Sequence, residues 1–361
     1  TMIPPNYTVP SGRNYYLTNH KKILIFEIKH AKVRPRYSPY RGLLFYVHLV
    51  QKSLSVVYLP FKRRSMNYQE FLSNTRTELS ARITPGATLK IQTITKNNGT
   101  HYDGLIILQP GSNIAPTIYL TPYYHRYLDG VPLEDIYNDI LTTYERHLPE
   151  ADFDIEMFTN FNRARSRIVM RLISKEYNQA LLADIPHIDY HDLAIVFYCL
   201  VYADADNQGS ILIHNSHMNM WNTCIDDLYQ LAQYNTPKLL PYKFIPMAEL
   251  LKTHPLAHLL DLEEIPMYIL TNIYKTNGAS ALLYDGLLAQ IADQFEQNFI
   301  ILPSSIHELI LIPVDACNTN ELEYYTQVVH EVNETQLADD EVLSNHAYFY
   351  RRSTKELISQ P

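Results

Sequence analysis

Two short polar stretches hold the residue types that chemistry needs. The first is His187-Ile188-Asp189-Tyr190-His191-Asp192. In an extended chain, side chains alternate between faces, so His187, Asp189 and His191 would share one face. Two imidazoles and a carboxylate are ligands for a divalent transition metal. Such side chains are spaced about 7 Å apart along a strand, however, which is wide for one ion without curvature. The bland alternative is a polar connection into the apolar run that follows, with Asp192 bonding backbone. The second stretch is Ser304-Ser305-Ile306-His307-Glu308. Ser304, His307 and Glu308 are the parts of a nucleophilic relay. Relays are normally assembled from distant segments, and no Gly-x-Ser-x-Gly elbow occurs in the chain. The bland alternative is a polar turn between two strands, whose hydroxyls satisfy turn amides.

Other chemistry is excluded by spacing. His307-Glu308 and His330-Glu331 would need a second histidine four positions after the first, where Leu311 and Glu334 stand. Gly99 and Gly104 are not followed by the Lys-Ser/Thr of a phosphate loop. Ten glycines in 361 residues is a low count, against a usual ~7%. Cys199, Cys224 and Cys317 are too few and scattered for a disulfide framework or zinc site. Cys199 reads as an inert core thiol, and Cys224 sits beside Asp226, which disfavours its thiolate. No cofactor is expected.

The elements that must position these residues follow from hydrophobic periodicity. Met66 opens a helix carrying Phe71, Leu72, Leu79 and Ile83. A half-buried strand over 87–95 reaches Lys96-Asn97-Asn98-Gly99, and Asn-Gly predicts a hairpin returning along Tyr102–Leu108. Ile114–Leu120 is a third strand, and Pro116 puts it at an edge. Pro132–His147 is a helix with Leu133, Ile136, Tyr137, Ile140, Leu141 and Tyr144 on one stripe. This is a small α-β-β-β-α unit, residues 66–150, closed by Leu148–Asp152.

Residues 151–361 form a larger mixed region. Arg167–Ile173 and Ser210–Ile213 read as strands, Asn178–Leu182 as a helical turn. The apolar run Leu193–Tyr202 is a central strand. Met220–Tyr234 reads as a helix with Trp221 on its core face, stopped by Pro237. A polar connection spans Pro241–Pro266. Beyond it are a strand at Tyr268–Leu270, a helix over Ser280–Phe295, a strand pair Phe299–Leu302 and Leu309–Ile312, a helix Asn320–Val332 and a strand Ala347–Tyr350. Short strands and helices mix without a βαβ rhythm, so the fold class is α+β.

Charge divides the chain differently. Residues 1–65 hold twelve Lys and Arg against the single acid Glu27, whereas residues 66–361 hold the other 18 bases and 37 acids, a net charge of -19. The leading segment reads either as a basic arm, whose tyrosines could stack on bases, or as residues outside the native protein, with translation starting at Met66. We take the second as the default. Leu43–Leu59 is short for a membrane span and carries His48, Gln51 and Lys52. Nucleic-acid binding is expected only if residues 1–65 are genuine; no membrane association is expected. Tyr119, Tyr123, Tyr124 and Tyr127 cluster, as on a recognition surface or a core rim.

From Met66 the chain resembles a bacterial family known mainly from gut Firmicutes, domain of unknown function 5688, over residues 66–350. The likeness rests on Lys96–Gly99, Asp103-Gly104-Leu105, Pro116–Leu120, Asp192–Phe197, Trp221, Ala232, Asn235-Thr236-Pro237, Leu270-Thr271-Asn272, Ile301–Glu308, Glu331-Val332-Asn333 and Leu343-Ser344. It implies a cytoplasmic protein and carries no catalytic residue. The expected function is an intracellular binding or interaction protein without catalysis, its partner another protein or a small molecule. The alternative is a hydrolase using His187/Asp189/His191 or Ser304/His307.

Overall fold

The computed structural model describes residues 66–148, 152–203, 208–252, 266–317 and 319–359. The expectations for residues 1–65 lie outside that range. The fold is mixed α+β, as the patterning predicts, with antiparallel sheets throughout.

Residues 66–146 close around a hydrophobic cluster of their own. Helix α1 (Tyr68–Ser80) starts with a reciprocal cap: Glu70 N–H donates to Asn67 Oδ1, and Asn67 N–H to Glu70 Oε2, both at 2.9 Å. That satisfies two donors which a helix start otherwise leaves open. Strands β1 (Thr88–Thr95), β2 (His101–Leu108) and β3 (Thr117–Tyr119) form a sheet in that order, with β3 at the edge where Pro116 placed it. Helices α2 (Thr121–Leu128) and α3 (Leu133–Arg146) complete the unit. Phe71 and Leu79 of α1, Leu105 and Ile107 of β2, and Ile136 and Ile140 of α3 share the core.

The tyrosines of α2 form a rim, not an open recognition surface. None is fully buried, and all pack against the same core. Tyr124 OH donates to Met66 O, and Tyr127 OH accepts from Met66 N–H, each at 3.0 Å. Ring inward and hydroxyl outward is how tyrosine serves both environments.

Short helices α4 (Ile155–Thr159) and α5 (Phe161–Ala164) lead into β4 (Ile168–Ser174), every residue of which is buried. Helix α6 (Gln179–Leu182) connects it to β5 (His187–Tyr190). Strand β6 (Leu193–Ala203) is the predicted central strand; β4 pairs along one side, and β5 and β7 (Gln208–Leu212) pair end to end along the other. Helices α7 (Asn215–Trp221) and α8 (Ile225–Leu239) follow. The expected single helix over 220–234 is broken at Asn222, which adopts a left-handed φ of 51°. Nor does Pro237 stop α8, which runs two residues further. Proline has no N–H to reach the carbonyl one turn back, so α8 carries it at the loss of one hydrogen bond.

A six-stranded sheet has the order β13-β12-β10-β11-β9-β8, from β8 (Tyr242–Pro246), β9 (Tyr268–Asn272), β10 (Asn298–Ser305), β11 (Glu308–Val314), β12 (Tyr348–Arg351) and β13 (Glu356–Ser359). Strands β8 and β13 were not expected from the sequence. Helix α9 (Met247–Leu251) follows β8. The expected helix over 280–295 is instead a 3-10 segment, Gly278–Leu283, and α10 (Leu287–Phe295), separated at Gly286 with φ 69°. Helix α11 (Thr319–Gln336) runs beside β10. The inner faces of both sheets, with α8 and α10, enclose the main core: Leu172, Phe197, Phe299, Leu311, Leu228 and Ile291 among others. Trp221 is in it, with its Nε1–H donating to Phe158 O at 3.0 Å.

Candidate functional site

The Asn-Gly hairpin forms as its sequence dictates: Asn98 and Gly99 both have positive φ, 59° and 66°. Its tip is docked. Asn98 Nδ2 donates to Asp339 O at 2.8 Å and to Val342 O at 2.7 Å, and Asn97 Nδ2 donates to Asp340 O at 3.0 Å. Asn98 and Asn178 bond each other twice: the Asn98 N–H donates to Asn178 Oδ1 and Asn178 Nδ2 to Asn98 Oδ1. Tyr102 OH donates to Asp340 Oδ1 at 2.9 Å. The short 3-10 turn Asp339–Glu341 therefore receives a hairpin about 240 residues away in the chain, through side-chain amides that match its free carbonyls.

The same turn receives the second polar stretch. Ser304 and Ser305 end β10, Glu308 begins β11, and Ile306-His307 is the turn between them. Ile306 N–H donates to Glu341 O at 2.9 Å. His307 Nδ1 accepts the Asn277 N–H at 3.0 Å, which places the imidazole proton on Nε2, 3.7 Å from Glu341 Oε1. The Ser304 hydroxyl donates to Glu308 Oε1 at 3.4 Å, and the Ser305 hydroxyl accepts the His307 N–H at 3.0 Å. The serines thus contact Glu308 and a backbone amide, while the histidine faces Asn277 and Glu341. Gly278 lies against this turn: a Cβ there would be 2.2 Å from Thr271 Oγ1 and 2.7 Å from His307 O.

The 187–192 stretch is the hairpin joining β5 to β6. His187 and Asp189 share the outer face, and Ile188 and Tyr190 pack into the main core. The three expected ligands turn to three different partners. His187 Nδ1 lies 3.1 Å from Ile185 O, Asp189 Oδ2 accepts from Lys175 Nζ at 2.5 Å, and His191, at φ 55°, has Nδ1 3.0 Å from Ser359 Oγ. The Lys175 ammonium holds the Asp189 carboxyl below its ordinary range. Among the described residues, no group of three or more His, Cys, Asp or Glu is placed to hold a metal. Asp192 does not bond backbone through its side chain as expected. It accepts from Ser344 Oγ and Tyr348 OH, each at 2.6 Å. Tyr348 is fully buried, and burial first, then Asp192, pushes its phenol well up.

Residues 338–346 are therefore a junction onto which three turns converge: Asn97-Asn98 of one hairpin, Ile306-His307 of another, and Asp192 of a third. The family model described as a family of unknown function, DUF5688, matches residues 68–352. The chain belongs to this family. No curated protein and no solved structure matches it. Several of the residues that carry the likeness to the DUF5688 family meet at or beside the junction. Asn97, Asn98, Asp192, His307 and Ser344 are described above; Asn333 Nδ2 adds a bond to Ser344 O at 2.9 Å, and Asn272 folds the 272–276 loop by accepting from Tyr274 N–H and donating to Thr276 O.

A second polar site escaped the sequence reading. Arg171 stands in the middle of β4, on the outer face of its sheet, and is only 8% exposed. Its guanidinium lies 4.0 Å from the centre of the Tyr198 ring. Nη2 donates to Gln208 Oε1 at 3.0 Å and to Ser210 Oγ at 2.8 Å. Nε is sealed from solvent without an acceptor, and so is Gln208 Nε2. No carboxylate among the described residues pairs with it. Burial pushes the guanidinium down, but arginine starts so high that it stays charged. The available signal was one charged residue in an otherwise apolar strand, Ile168–Ser174. Cys199, behind it in the core, is an inert thiol whose burial pushes it up to about 11. Cys224 caps α8 and lies 3.2 Å from Asp227, not Asp226.

Proposed function

We propose that this chain is an intracellular binding or interaction protein without catalysis of its own, with a protein or small molecule as partner. The observation that carries the reading is the use of the polar stretches. Ser305, His307 and Asp192 each bond groups that hold the 338–346 segment or the turns around it. The His307 ring accepts the Asn277 N–H and lies 3.7 Å from Glu341 Oε1, so it is tied into the turn that meets the 338–346 segment. Acidic balance after residue 65 favours partners other than nucleic acid. Among the described residues no helix is long and apolar enough to cross a membrane.

Elemental analysis of the purified full chain, beside His191→Ala, tests this reading together with hydrolysis of ester and peptide substrates by wild type and His307→Gln. The expected result is no stoichiometric metal in either metal sample and no turnover that His307→Gln removes. A bound metal lost in His191→Ala, or hydrolysis lost in a folded His307→Gln variant, overturns it in favour of a hydrolase.

A further inference from the structure

We propose that Arg171, Gln208 and Ser210 form a binding site for a small oxyanion, a carboxylate or phosphate group, on the outer face of the β4–β6–β7 sheet. The inference goes beyond the reading above, and stands whether or not the chain engages a protein.

A guanidinium removed from water needs a counter-charge, because its hydration is lost and neutral groups replace only part of it. Arg171 has a ring face, an amide oxygen and a hydroxyl around it. Among the described residues, the cation–π contact and these neutral acceptors leave its charge uncompensated. Water filling the gap would satisfy hydrogen bonds but not the charge.

The orientation of Gln208 is fixed by its neighbours. Its Oε1 accepts from Arg171 Nη2 and from Asn277 Nδ2 at 3.2 Å. Flipping the amide would set its NH2 against two donors. Nε2 therefore stays a donor, and it has no acceptor. Two donors without acceptors, Arg171 Nε and Gln208 Nε2, thus belong to two directly bonded side chains. An oxyanion supplies both what they lack: acceptor oxygens and a negative charge.

The surroundings favour tight retention. Val169, Leu200 and Leu240 form one small apolar cluster on this face, and Ile173, Ala194, Val196, Leu182 and Ile185 another; Tyr198 packs against both. Arg171 lies between Val169 and Ile173 on the same strand face. Such flanks lower the local dielectric and strengthen a charge-assisted bond. The site's residues come from three sheet strands, with Asn277 steadying Gln208 from a fourth segment.

The test uses the full chain, unfolded by heat at constant ionic strength, with sodium chloride as reference and inorganic phosphate or succinate as probe. At least one probe should raise Tm saturably, by roughly 3–5 °C at about 100-fold excess over Kd. Which probe acts distinguishes a phosphate from a carboxylate ligand. Gln208→Glu places a carboxylate against the guanidinium and should abolish the response, weakening apparent binding at least about tenfold, while Tm without probe stays at or above wild type. Arg171→Met should lose the response by removing the charge. No rise beyond the chloride reference with either probe overturns the site, as does a wild-type response retained in either variant.

Discussion

At the junction, Asp192 accepts two hydroxyl hydrogen bonds and Asn98 has partners on its amide oxygen, its amide nitrogen and its backbone N–H. On the outer face of the β4–β6–β7 sheet, Arg171 is more deeply buried than either but meets no opposite charge among the described residues, and one of its nitrogens lacks an acceptor there. The two regions use the same currency of buried polar groups to different ends. A matched network fixes one arrangement of three distant turns, since each unmade bond would leave a desolvated group behind. An unmatched cation instead stores unfavourable energy that a ligand of opposite charge can release.

Substitutions can break this contrast. The largest effect is expected for Gly278→Ala. Its Cβ would meet Thr271 Oγ1, the Asn272 amide nitrogen and His307 O at 2.2, 2.6 and 2.7 Å, two of them backbone atoms that cannot yield. A loss of about 4 kcal/mol in urea unfolding is expected. Asp192→Ala comes next, at about 3 kcal/mol, because it strands the buried Tyr348 hydroxyl and leaves the Ser344 hydroxyl only the longer contact to His346 O. The mirror change at the other site should behave differently. Arg171→Met replaces an unpaired buried ion with an apolar chain of similar length, and stability should stay level or rise by about 1 kcal/mol. A loss comparable to that of Asp192→Ala would erase the distinction between the two regions.

The smallest effect belongs to an exposed pair. Lys175 lowers the folded-state value for Asp189, so the pair's contribution is present above the ordinary carboxyl range and lost as pH falls through the lowered value. Lys175→Met should return the Asp189 titration, followed by NMR, toward about 3.9. Stability above that range should change little, because both side chains are largely in water.

What could be read from the sequence follows the range of the forces involved. Asn98-Gly99 announced its hairpin because two positive φ angles are a local demand. Leu193–Tyr202 announced a central strand because a continuous apolar run needs burial on both faces. Asn222 and Gly286 broke expected helices at single left-handed residues that hydrophobic spacing does not register. Strands β8 and β13 are short and carry Lys243, Pro246 and Glu356, so pairing rather than pattern creates them. The polar stretches were visible as residue types, but their partners lie far along the chain: Asp192 and Tyr348 are 156 residues apart. Arg171 was read only as part of a strand, since its burial depends on Tyr198, Gln208 and Ser210 from two others.

Strand β4 ends its sheet, and its outward amides are already occupied. Met170 N–H donates to the Thr236 hydroxyl at 3.0 Å and Leu172 N–H to the Ser280 hydroxyl at 3.2 Å. Two short side chains from a helix and a 3-10 segment thus stand where a further strand would bind. This flank of the molecule is closed to strand addition by another copy, and so to the edge-to-edge growth that turns soluble β-proteins into aggregates.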